Sequence, residues 1–203
     1  KCGKINRFDK LNDMSNGLPK YSYWYYGPKE HFLQKIQFRK ITSNMFSDQS
    51  TFSIIYQNIK ESRHTQKSST LFLSNRQEIL NIYSLKSDFK KDIFNTLLKY
   101  GVSSKFQDLS STANLQSSNN TFLYNTTRYP DGGSSIFNYS LYSYAVFPVK
   151  DNLILDFGGR FNYSLLTASF LNNSTYQFPF KKITVKNSVF ASSLRLFYSF
   201  YKN

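Results

Sequence analysis

The sequence predicts an all-β fold: an antiparallel up-and-down sheet of about eight long strands, forming part of a transmembrane β-barrel. Three observations lead to it. Apolar residues recur with a period of two over stretches longer than a soluble sheet uses; aromatic residues are in excess although the chain as a whole is polar; and short connections alternate with long ones.

The clearest strand runs from Leu153 to Leu165. Leu153, Leu155, Phe157, Phe161, Tyr163 and Leu165 alternate with Asp156, Gly158, Arg160, Asn162 and Ser164, so one face is apolar and the other polar. At about 3.3 Å per residue such a strand, tilted, crosses a bilayer core and overhangs it. The same alternation places strands over Phe137–Val149, Leu97–Asp108 and Phe190–Phe200. Weaker alternation places others over Phe32–Thr42, Thr51–Ser62 and Ile79–Phe89, and a final one near Ile5–Leu11. A one-residue slip in the Leu153–Leu165 strand would turn Asp156 and Arg160 toward lipid, which fixes its register and places Leu153, Leu155, Phe157 and Phe161 on the convex side.

Composition supports the same architecture. Twenty Phe and sixteen Tyr make the chain 18% aromatic, yet its mean hydropathy is −0.47. A soluble core of this size normally carries more aliphatic bulk, whereas a wall with one face in lipid and the other in water needs apolar residues only on alternate positions and in girdles. An extracellular β-sandwich is the other architecture compatible with these numbers. No stretch is long and apolar enough for a membrane-spanning helix.

The net charge of +14 invites a nucleic-acid reading, but Lys and Arg are scattered, without a basic run or a recognised nucleic-acid motif. Scattered cations fit a solvated surface or anionic lipid head groups. The single cysteine, Cys2, excludes an internal disulfide and a multi-cysteine metal site, and it reads as incidental. No secretory leader is recognisable, so the chain is expected to be a mature product or part of a longer protein.

Connections at about Ser43–Ser50, Lys90–Asn95 and Lys150–Asn152 are short. Those at about Asp13–Lys29, His64–Ser74, Leu109–Ser135 and Ser169–Lys186 are long and polar. Sorting of this kind marks outer-membrane barrels, with turns in the periplasm and loops outside.

The loops carry a further signal. Asn16-Gly17-Leu18-Pro19 precedes Tyr23-Trp24-Tyr25-Tyr26-Gly27-Pro28; Tyr56-Gln57 and Glu61-Ser62-Arg63 come next, followed by Arg128-Tyr129-Pro130-Asp131-Gly132-Gly133-Ser134. With Leu155-Asp156-Phe157-Gly158-Gly159-Arg160-Phe161 and Phe178-Pro179-Phe180, this series resembles the barrel half of TonB-dependent receptors of the Bacteroidetes type, across essentially residues 1–203. The resemblance implies a parent barrel of 22 strands, an N-terminal plug and a segment contacting TonB. Only part of the barrel, its C-terminal portion, would then be represented here. It also implies outer-membrane lipid, the rest of the barrel, the plug and the TonB system as partners, with no nucleic acid and no cofactor.

Physically, Pro130 followed by Asp131-Gly132-Gly133 shapes a compact loop, and no helix follows it as a phosphate cradle would require. Glu61 and Arg63 share a face and read as a lumen or rim charge pair, and Arg160 is expected to point into the lumen. His31 and His64 have no metal-ligand spacing, and neither a nucleophile motif nor a paired-carboxylate arrangement is recognisable, so no catalytic or metal residue is assigned.

Two functional classes remain. One is a receptor for uptake of a scarce nutrient (iron chelate, haem, cobalamin or oligosaccharide). The other is a small stand-alone barrel or an adhesin-like β-domain with a structural or binding role. In either, Tyr23, Trp24, Tyr25 and Tyr26 in the Asp13–Lys29 loop, with Arg128 and Tyr129, are the candidate ligand-binding residues; the aromatic run reads equally well as an interfacial belt.

Overall fold

The structure, a computed structural model, describes residues 4–15, 17–172 and 177–200; Cys2 and Asn16 lie outside them. In chain order, β1 (Ile5–Asn6) is followed by one helical turn, α1 (Phe8–Leu11), and by a small hairpin of β2 (Met14–Ser15) and β3 (Leu18–Pro19). β4 (Tyr21–Tyr26), β5 (Glu30–Ile41), β6 (Gln49–Lys67), β7 (Leu73–Ile93) and β8 (Thr96–Gln116) come next. Then come the short β9 (Phe122–Tyr124), β10 (Ser134–Lys150), β11 (Leu153–Ser169) and β12 (Lys182–Tyr198).

Strands β6, β7, β8, β10, β11 and β12 pair with their sequence neighbours in one antiparallel sheet, with β9 folded back on β8. The other side of β6 is lined by β4 and β5 end to end: Tyr26 lies opposite Arg63, and Glu30 opposite Lys60. Gly27 and Pro28 make the break between them. The Gly27 amide donates to the Ser62 carbonyl at 2.9 Å, and a Cβ there would stand 1.9 Å from Ser62 Oγ. Pro28 has no amide to continue the ladder.

Two sequence expectations need correction. The strand expected near Ile5–Leu11 is two residues of β1 followed by α1, so the described sheet has six long strands plus the β4–β5 line. The loops are shorter than expected, because the strands run on beyond the alternating region: β6 reaches Lys67 and β7 begins at Leu73, leaving five residues between them. Alternation stops where both faces turn polar, but the ladder need not: Arg63 to Thr65 go on pairing with β7, and Gln66 and Lys67 with β4. At the opposite end β7 and β8 are joined by Phe94–Asn95, and β10 and β11 by Asp151–Asn152. These short connections define a turn end of the sheet; the long segments 117–133 and 170–181 define a loop end.

The register sorts side chains onto two faces. Tyr56, Tyr83, Phe106, Phe137 and Leu165 stand opposite one another across five strands; so do Phe52, Ser87, Val102, Leu141 and Phe161. On this face Ile54 is 56% exposed and Phe157 53%. The other face carries Ser53, Lys86, Ser103, Ser140 and Asn162, and there Ser140 is 7% and Asp156 4% exposed. Polar side chains crowd each other while apolar ones splay apart, which makes the polar face the concave one. Leu153, Leu155, Phe157 and Phe161 share the convex face, as expected, and Arg160 lies on the concave face, donating to Asn162 Oδ1 (2.8 Å) and Ser140 Oγ (3.2 Å).

The outer edges of β5 and β12 carry no ladder to each other among the described residues. Both strands are exposed almost throughout, with Leu33, Ile36, Val185 and Phe190 among their open apolar side chains.

Candidate functional site

The convex face bears two aromatic rows. Near the loop end Phe32, Tyr56, Tyr83 and Phe106 follow one another across four strands, with ring centroids 6.1, 5.1 and 6.4 Å apart. Directly beyond them the outward positions turn polar. Tyr56 Oη and Asn58 Nδ2 both donate to Asn81 Oδ1, at 3.1 and 2.8 Å. Near the turn end Phe52, Phe89 and Tyr100 form the second row, with centroids 5.8 and 5.2 Å apart. From Tyr100 to Phe106 the separation is roughly 20 Å along the strand, close to the height of a barrel's lipid-facing band once tilt and ring size are included.

The aromatic run expected in a loop is strand β4 instead, and its alternation divides it. Tyr23 and Tyr25 face outward, where Tyr25 stacks on His64 at 4.5 Å and Lys4 Nζ sits 4.0 Å from the Tyr25 ring centre. His64 lies eight residues beyond Tyr56 on β6, roughly 26 Å along the strand, so these rings stand well clear of the Tyr56 row. Trp24 and Tyr26 face inward, opposite Thr65 and Arg63. Arg7 and Arg63 flank Tyr26, with guanidinium carbons 5.8 and 5.5 Å from its ring centre.

The inward half borders a cavity of about 340 Å³ at the loop end of the concave face. Tyr21 and Trp24, edge to face at 4.5 Å, form its aromatic side with Phe72 and Leu115. Arg63, Lys67 and Arg76 supply three cations, and no carboxylate lines it among the described residues. Arg76 is pinned to Thr126, its Nε donating to the carbonyl at 3.0 Å. Trp24 Nε1 and Arg63 Nε are buried and have no hydrogen-bond partner among the described residues. Below the cavity Glu78, 9% exposed, stands opposite Glu61 and Ser111. Burial pushes its carboxyl above the usual range, against the pull of Arg128, Arg63 and Arg76. Glu61 pairs with Lys29 at 3.0 Å and not with Arg63, which corrects the expected rim pair.

Arg128 acts on Glu78 by its charge but does not line the cavity beside Trp24; with its guanidinium carbon 5.5 Å from the Tyr129 ring centre, it borders a smaller cavity of about 190 Å³ together with Tyr129, Tyr124, Pro130, Phe170 and Phe178. The Arg128–Ser134 loop is held from the neighbouring loop: Asp131 accepts the amides of Leu171 and Asn172 at 2.8 and 2.9 Å, and Gly133 takes φ +85°. Sequence reasoning had no means to find Arg76, Lys67 and Phe72. Arg63 and Arg76 are opposite each other only because of the β6–β7 register.

Two solved structures share this architecture. The copper transporter OprC superposes with a TM-score of 0.71 at 9% identity, covering 85% of this chain and 28% of its own. The ferric yersiniabactin uptake receptor FyuA from Yersinia pestis gives 0.56 at 12% identity, covering 98% of this chain and 30% of its own. The fold is a large antiparallel sheet of long strands, similar to part of a TonB-dependent receptor barrel. The chain spans less than a third of the length of either of these proteins. No protein-family model matches the sequence, and a search of curated proteins returns no match.

Proposed function

We propose that this chain is a C-terminal wall segment of a TonB-dependent outer-membrane receptor that takes up a scarce nutrient such as an iron chelate or haem. In the complete protein, further strands would extend the edges of β5 and β12, a plug would fill the lumen, and TonB would supply the energy. The turn end would face the periplasm and the loop end the exterior. The two structural neighbours are a copper transporter and a ferric yersiniabactin uptake receptor.

The observation that carries the reading is a convex apolar face bounded by aromatic rows, backed by a polar concave face with a cavity at its loop end. A closed soluble core would bury Ile54, Leu141 and Phe157, which are all more than 40% exposed. A small stand-alone barrel would pair β5 with β12. The test is deletion of the gene in its source bacterium, with uptake of labelled ferric chelates and haem measured alongside the distribution of the protein between envelope fractions. Loss of uptake of one ligand with the protein in the outer membrane is expected; a soluble or inner-membrane protein would contradict the proposal.

A further inference from the structure

We infer that the cavity between β4, β6 and β7 is an anion-selective ligand site, built for a ligand that presents carboxylate, phenolate or phosphate oxygens on a flat apolar body. The inference deepens the receptor reading by naming the charge and shape of the cargo. Arg63, Lys67 and Arg76 line the cavity with no carboxylate among its described lining residues, so a bare metal cation is repelled and a neutral ligand gains nothing from the charges. Two buried donors, Trp24 Nε1 and Arg63 Nε, have no partner among the described residues, and an unpaired buried donor is costly unless a ligand acceptor completes it. Arg76 cannot swing away, because Thr126 holds it through its carbonyl at 3.0 Å and its hydroxyl at 3.4 Å. Tyr21 and Trp24, perpendicular at 86°, leave a ring face and a ring edge beside the cations, with Phe72 and Leu115 completing an apolar side. Guanidinium groups next to aromatic faces suit oxyanions carried on planar frames, since the oxygens take the N–H fork and the frame covers the rings.

The experiment is titration calorimetry of the protein in detergent micelles with three probes: an anionic ferric tris-catecholate, citrate, and a neutral ferric trihydroxamate of similar size. Saturable binding of the tris-catecholate, weaker binding of citrate and none of the trihydroxamate are expected, with affinity falling as salt is raised. Arg63→Gln should weaken tris-catecholate binding about tenfold, the loss of one charge-assisted hydrogen bond. Glu78→Gln removes a carboxyl that interacts with the charges of Arg63 and Arg76 and should tighten it severalfold, an outcome that an unfolded variant cannot give. Binding of the trihydroxamate as tight as that of the tris-catecholate, or variants without effect, would overturn the inference. Uptake of a neutral chelate by cells, with no anion binding in the cavity, would overturn it while leaving the receptor reading intact. Anion binding without any uptake would support it and count against the receptor reading.

Discussion

Tyr142 on β10 lies across Gly101 on β8, so that its hydroxyl donates to Asp88 one strand further on. A Cβ at Gly101 would sit 2.4 Å from both Tyr142 Oη and the Ser87 carbonyl, so the bond exists only because position 101 has no side chain. Lys86 completes the arrangement, its Nζ 2.9 Å from Asp88 and 5.8 Å from the Tyr142 ring centre, with Arg160 on the same ring at 6.0 Å. Three strands are thereby tied on the concave side. Gly101→Ala should cost about 1–3 kcal/mol through displacement of the ring. Tyr142→Phe, which keeps the ring and loses a hydrogen bond to a charged group, should cost about 1.5–3 kcal/mol. Denaturant unfolding in detergent, followed by the change in gel mobility, measures both.

The convex face should tolerate charge poorly and the concave face well. Leu141, 46% exposed and flanked by Val102 and Phe161, sits mid-band, and Leu141→Arg should destabilise the sheet in a bilayer by about 2–4 kcal/mol. Gln107→Arg on the concave face of β8 should change stability by less than about 1 kcal/mol, since a lumen position stays wet. Equilibrium unfolding from lipid vesicles compares the two, and equal effects would deny the faces their assignment.

How far the sequence revealed this arrangement depends on how the two faces of each strand differ. Leu153 to Leu165 were legible because an apolar convex face and a polar concave face impose a period of two. Tyr21 to Tyr26 were misread as loop because aromatics occupy both faces of β4, which erases that period. The extensions at Arg63–Lys67 and Leu73–Glu78 were missed for a related reason, since almost every residue there is polar whichever face it lies on. Trp24 was recognised as a candidate, but Arg63 and Arg76, which line the same cavity, come together only through the register that the β6–β7 hairpin sets, and no local pattern encodes that pairing.

At the turn end, Asp48 clasps the 42–48 connection to β7. Its carboxylate accepts from Ser43 Oγ at 2.5 Å, from Lys91 Nζ at 2.9 Å and from the Asp92 amide at 2.8 Å. The Ser43 bond leads, with the Asp92 amide and Lys91 adding to it, and together they hold the carboxyl well below the ordinary range. With the folded value depressed, the clasp contributes fully above the ordinary carboxylate pKa near 4 and is lost only as pH falls through the lower folded value. Hydrogen exchange at the Asp92 amide should stay slow at pH 4 and quicken in stronger acid. Asp48→Asn should quicken it at every pH.

Asp131 plays the matching part at the loop end by capping the amides of Leu171 and Asn172. Asp131→Ala should free the 170–181 segment and raise its cleavage by an added protease severalfold, the local cost being about 1–2 kcal/mol, while the unfolding midpoint of the sheet stays put. A shift of that midpoint comparable to that of Gly101→Ala would show that the loop is part of the sheet's cooperative unit.

The central claim is that the convex face lies in lipid and the concave face in water. Nitroxide scanning along β11 tests it most directly, and Cys2, the only cysteine in the sequence, can first be replaced by serine. With single labels at each position from Leu153 to Leu165 and the protein in bilayers, oxygen accessibility should peak at Leu155, Phe157, Phe161 and Tyr163. Accessibility to a polar nickel chelate should peak at Asp156, Arg160 and Asn162, in opposite phase. Loss of the two-residue period, or exclusion of both reagents from the Leu155–Phe161 side as in a closed protein core, would contradict the account.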